Sequence, residues 1–159
     1  METMTLAGQS ALVALQAGWL ILGVVENLRF PAVNGWFVGE VMSMNRVRQN
    51  RDVWPMLGRN RVEDPRTHRA VFLLIVAVEV VVAILLAFGA GLLLFAAFGG
   101  ADATTARVWA LAGVIGWTGI WGAFLVGGQW FHYWLGCEGS QNTHFHMTVW
   151  GVATFVALT

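Results

Sequence analysis

From Ala70 to Phe98 nearly thirty residues run on with Glu79 as their only charge, and that run decides what the rest of the chain can be. A helix rises about 1.5 Å per residue and bilayer hydrocarbon is about 30 Å thick, so about twenty apolar residues cross it. The surplus predicts a tilted or protruding helix. Leu6 to Val25 is interrupted only by Gln9, Ser10 and Gln16, and it suits a second crossing. With no positive residue before it and no small-x-small cleavage site, it reads as a permanent helix and not as a signal. A third stretch runs from about Arg107 to Tyr133. A fourth begins near Asn142 and reaches Thr159; it is at the lower limit for crossing, and a re-entrant helix is its rival. The fold class is therefore all-α: a four-helix transmembrane bundle in one integral membrane domain over residues 1–159. Its helices are expected at about 6–26, 70–98, 107–133 and 142–159.

Composition agrees, with 57% hydrophobic and 11% charged residues. Bilayer hydrocarbon is the natural place for that much apolar surface. A formal net charge of zero excludes a nucleic-acid binder, which needs a basic face to displace counterions. The charge is nonetheless uneven. Lys is absent, and eight of the nine arginines fall between Asn27 and Arg69 together with all three prolines. This is a long polar loop between helices 1 and 2. Within it Phe37, Val38, Val41, Met42 and Met44 carry an apolar rhythm that predicts a short interfacial helix over 37–46. Pro55 and Gly58 break regularity, and Asp64-Pro65 marks a turn into the next helix. Arginine bookkeeping places the first and third loops in the cytoplasm and both termini outside, in a bacterial inner membrane. The lone Cys137 cannot form an internal disulfide.

Glu79 needs an explanation, because counted from Ala70 it lies about 15 Å deep, where an ionised carboxylate costs at least a few kcal/mol. Glu79, Ala83, Ala87 and Gly91 recur every four residues, and Gly119, Ala123 and Gly127 form a matching stripe in the third span. These stripes predict that the two helices pack closely. Counting the same depth back from Glu26 reaches Gln16. The expectation is that Gln16, with Thr118 or the Trp121 indole, hydrogen-bonds a protonated Glu79. A proton-relay or cation-binding carboxyl is the functional alternative.

An up-and-down bundle would bring Glu26, His68, His132, Glu138, His144 and His146 to one membrane face. A haem or metal would need converging rings, with His132 and either His144 or His146 as the candidate pair. His144 and His146 are two apart, so on a helix they point in nearly opposite directions. No metal-ligand spacing motif is present, no cofactor is predicted, and interfacial histidines beside Trp130, Phe131, Tyr133 and Trp134 are the simpler reading. Gly99-Gly100 is a turn and not a phosphate cradle, Ser140 lacks a nucleophile-elbow context, and the first loop is too short to fold as an enzyme.

Three landmarks carry a family resemblance. Phe37-Val38-Gly39-Glu40-Val41-Met42-Ser43-Met44 is similar to a Phe-Val-x-His-Val-x-Ser-Met segment. His68 followed by Glu79 in an apolar run is the second. Val126-Gly127-Gly128-Gln129-Trp130-Phe131 with Gly139-Ser140-Gln141 resembles Gly-Gly-Glu-Trp-Phe and Asn-Gly-Gln elements. With these the chain resembles the predicted small integral membrane proteins grouped as domain of unknown function 2165. Glu40 stands where that family tends to have His, and Gln129 where it tends to have Glu. The resemblance implies four membrane helices and no established activity; its basic residues imply the reverse orientation to the arginine count.

The functional expectation is a non-enzymatic accessory or structural subunit whose partners are membrane lipids and other membrane protein subunits. A small proton-coupled transporter or channel using Glu79 and a haem- or quinone-binding redox subunit are its alternatives.

Overall fold

The computed structural model describes residues 1–159. It is all-helical: α1 (Glu2–Arg29), α2 (Pro31–Met42), α3 (Trp54–Leu57), α4 (Pro65–Ala97), α5 (Ala103–Trp130) and α6 (Glu138–Leu158). The helix boundaries follow local chemistry. Pro31 lacks an N–H, so α1 stops before it and α2 starts on it as a first-turn residue. Asp64 caps α4, accepting from the backbone N–H groups of Arg66 at 3.3 Å and Thr67 at 3.1 Å, with Pro65 next in line. Asp102 caps α5 by accepting from Thr105 N–H at 2.7 Å, just after Gly99 turns the chain at φ +77°.

Three of these helices, α1, α4 and α5, are long and apolar enough to cross a membrane. The fourth expected crossing corresponds to α6, which spans 21 residues. Its first half carries Ser140, Gln141, Asn142, Thr143, His144 and His146, and this dilutes its apolar character. The interfacial helix expected over 37–46 lies instead at Pro31–Met42. It begins earlier because Pro31 starts it, and it ends before Met44, whose backbone is left-handed at φ +55°.

The long helices pack in the order α1, α4, α5, α6. α4 lies between α1 and α5, and their buried faces, with Val13, Leu20, Leu86, Leu93, Val114 and Trp117, form one continuous core. Between α4 and α5 the contact is backbone-close. A Cβ placed on Gly89 would stand 2.6 Å from Ala110 Cα, and one on Gly113 would stand 2.9 Å from Leu86 N. Small residues at membrane helix crossings permit that approach, and dispersion between the backbones holds it.

The expectation that α4 and α5 pack together is met, but through different residues. Glu79 and Ala83 are buried, whereas Ala87 and Gly91 on α4 and Gly119 and Ala123 on α5 are exposed and Gly127 is half-buried. The cause is helical drift. Each four-residue step overshoots a full turn by about 40°, so an i, i+4 row that begins on the core face leaves it within three steps. The seam follows Val82, Leu86 and Gly89 against Gly116, Gly113 and Ala110.

Candidate functional site

α4 begins at Pro65, so Glu79 sits fourteen positions on, about 21 Å from the start of the helix. It lies at the level of the last turn of α1. There its Oε2 accepts from Asn27 Nδ2 at 2.8 Å, and Asn27 Oδ1 accepts from Asn34 Nδ2 of α2 at 2.6 Å. Glu79 and Asn27 are 7% and 6% exposed, while Asn34 reaches the surface. The result is a hydrogen-bonded line from a buried carboxyl outward through two amides on separate helices.

The partners expected for Glu79 are therefore corrected. Thr118 Oγ1 bonds the carbonyl of Val114 in its own helix at 2.8 Å and lies against Gly151 of α6. The Trp121 indole N–H has no partner, and neither does either amide atom of Gln16, which is fully buried. The depth count failed because α4 starts five residues before Ala70 and overhangs α1, which shifts the register between the two helices. Asn27 lies on the same buried stripe of α1 as Gln9, Gln16 and Leu20. Asn27 stands eleven residues after Gln16, about three full turns on, so it shares that face of α1.

Other polar groups staple the bundle. Ser10 Oγ donates to the Ala90 carbonyl at 2.8 Å. At the end holding the α4–α5 turn, Gln9 donates to the Ala157 carbonyl at 2.8 Å and accepts from Arg107 Nε at 3.2 Å, which joins α1, α5 and α6. Trp117 Nε1 donates to the Met147 carbonyl at 2.8 Å, tying α5 to α6.

The histidines divide among three settings. His68 contacts the Val62 carbonyl through Nε2 at 2.7 Å, in a space that Gly39 leaves open. His132, left-handed at φ +51°, is met by Asn60 Nδ2 at 3.5 Å. His144 lies among the rings of Trp121, Phe124 and Tyr133, with the Tyr133 hydroxyl 3.2 Å from Nδ1. His146 is exposed. No three His, Cys, Asp or Glu side chains converge on a metal-sized point, and His132 and His144 are engaged by different neighbours.

The arginine-rich segment folds as a cap over the same end. Asn60 donates to the Trp130 carbonyl at 3.0 Å and Arg46 Nη1 to the Gly136 carbonyl at 3.1 Å, docking it on the α5–α6 connection. Glu63 pairs with both Arg48 and Arg61. The Arg48 hydrogen bond holds its carboxyl below the usual range, and the Thr67 hydroxyl and the Arg66 N–H do the same for Asp64. The first landmark, His68 of the second and Trp130 to Gly136 around the third lie where cap and bundle meet, whereas Glu79 of the second is buried against α1.

Among known proteins, the family model described as predicted small integral membrane protein, DUF2165, matches residues 5–159. No curated protein and no solved structure matches the chain.

Proposed function

The chain belongs to the DUF2165 family of predicted small integral membrane proteins, and from that premise we propose that it is a non-enzymatic accessory subunit of a larger membrane complex. In this reading α6 makes a fourth crossing in a bacterial inner membrane, with the arginine cap in the cytoplasm. One observation carries it. Between α5 and α6 an outward-facing apolar groove of about 290 Å³ is lined by Ile115, Thr118, Gly119, Val152 and Phe155. Gly119 has nothing within 4 Å of where a Cβ would stand. A helix that faces only lipid gains nothing from such a groove, whereas a second helix can approach closely there.

Extraction from the native membrane in mild detergent is expected to yield a stoichiometric companion that Gly119→Leu dislodges while the chain itself stays folded. A monodisperse, partner-free chain would count against the subunit role. The same preparation is expected to lack a Soret band, since the reading assigns no haem to His132, His144 or His146.

A second reading, proton-coupled transport through Glu79, draws support from the Asn34–Asn27–Glu79 line, which links the carboxyl to the cap side of the bundle. Glu79→Gln in proteoliposomes tests it: flux that persists unchanged removes Glu79 from any such role.

A further inference from the structure

Where Arg46, Gln49, Asn50, Arg51 and Asp52 face Gly136, the cap leaves an open polar cleft of about 650 Å³. We infer that this cleft seats the phosphate of an anionic phospholipid headgroup. The inference stands whether or not the chain has a companion subunit.

Charge accounting within the cap singles the cleft out. Glu63 takes both Arg48 and Arg61, while Arg46, Arg51 and Arg59 have no carboxylate partner, and Arg46 and Arg51 line the cleft together. Asp52 is the one carboxylate in the cleft wall, so two guanidinium groups face one negative charge. The remaining single positive charge matches a phosphodiester, and Gln49 and Asn50 add amide donors for its oxygens.

Arg46 is set in place before any ligand arrives. Its Nη1 donates to the Gly136 carbonyl at 3.1 Å. Gly136 permits that contact because a Cβ there would stand 2.5 Å from Arg46 Cβ. A guanidinium held by one nitrogen keeps its other donors for the cleft, and a pre-positioned cation loses less side-chain freedom on binding.

Position argues for a lipid over a free anion. The cleft wall includes Leu135 and Gly136 of the α5–α6 connection, a segment that follows Trp130 and contains Trp134, which are 61% and 44% exposed. Exposed tryptophans at the ends of crossing helices sit at headgroup level. A phosphate at that depth is one carried by the bilayer.

The test uses the full chain in maltoside detergent, with thermal unfolding followed by tryptophan fluorescence as short-chain phosphatidylglycerol, short-chain phosphatidylcholine or inorganic phosphate is titrated. Phosphatidylglycerol is expected to raise the unfolding midpoint most. Arg51→Gln should leave the lipid-free midpoint unchanged and weaken phosphatidylglycerol binding about fivefold, with Arg51→Lys restoring most of it. Binding unaffected by Arg51→Gln, or an equal response to phosphatidylcholine, overturns the inference. So does inorganic phosphate acting at the same concentration as the lipid, which would make the cleft a free-anion site.

Discussion

Against α1, α4 is held by hydrogen bonds, Ser10 to the Ala90 carbonyl and Asn27 to Glu79; against α5 it is held by shape, with Gly89 and Gly113 letting backbone meet backbone. The two flanks of one helix thus solve association in lipid by different means. Apolar burial gives helices no preference for each other over lipid tails, so either close packing or a polar pair must supply it. Shape tolerates no added atom, whereas a polar pair tolerates change in proportion to what is left unpaired.

The largest effect is expected on the α5 flank. Gly89→Val pushes side-chain carbons into Ala110 and should cost about 3 kcal/mol, read as loss of helical circular dichroism at lower denaturing-detergent fraction. Unchanged stability would mean that the two helices can separate freely, and the contrast between the flanks would fail. On the α1 flank, Asn27→Leu strands the Glu79 carboxyl without its donor and should cost about 1.5 kcal/mol. Glu79→Gln, which keeps an acceptor for Asn27, should cost less. Equal losses in the two variants would argue against the bond as the source of the effect.

The smallest change has the opposite sign. Gln16 is buried with both amide atoms unpaired, so Gln16→Leu should stabilise the protein by about 1 kcal/mol, since it removes polar atoms that nothing satisfies. A loss of stability in the same unfolding assay would reveal a partner for Gln16 and extend the polar character of the α1 flank along its length.

Much of this was legible in the residues. The long apolar runs located α1, α4 and α5, Asp64-Pro65 marked the start of α4, and the arginine count found the cap. The partner of Glu79 was not legible, because it depends on how far α4 overhangs α1, and that register is set by tertiary packing. Depth counted from the first apolar residue therefore pointed to Gln16 and missed Asn27. The seam failed for a different reason: Ala87, Gly91, Gly119 and Ala123 fit an i, i+4 row on paper, but a straight helix rotates such a row off the contact face. The mooring of the cap, through Asn60 and Arg46 to two backbone carbonyls, leaves no trace in sequence pattern at all.

The connection between α4 and α5 spans only Phe98 to Asp102, and this bears on the order in which the protein is born. Of these helices a ribosome delivers α1 before the rest, yet Gln9 and Ser10 have no partners until α4, α5 and α6 exist, and Asn27 has only Asn34 of α2 until Glu79 arrives. The tightly joined α4–α5 pair closes on itself as soon as both halves have emerged, because its contacts are local in the chain. α1 thus waits, with its polar stripe facing lipid, for a hairpin synthesised after it.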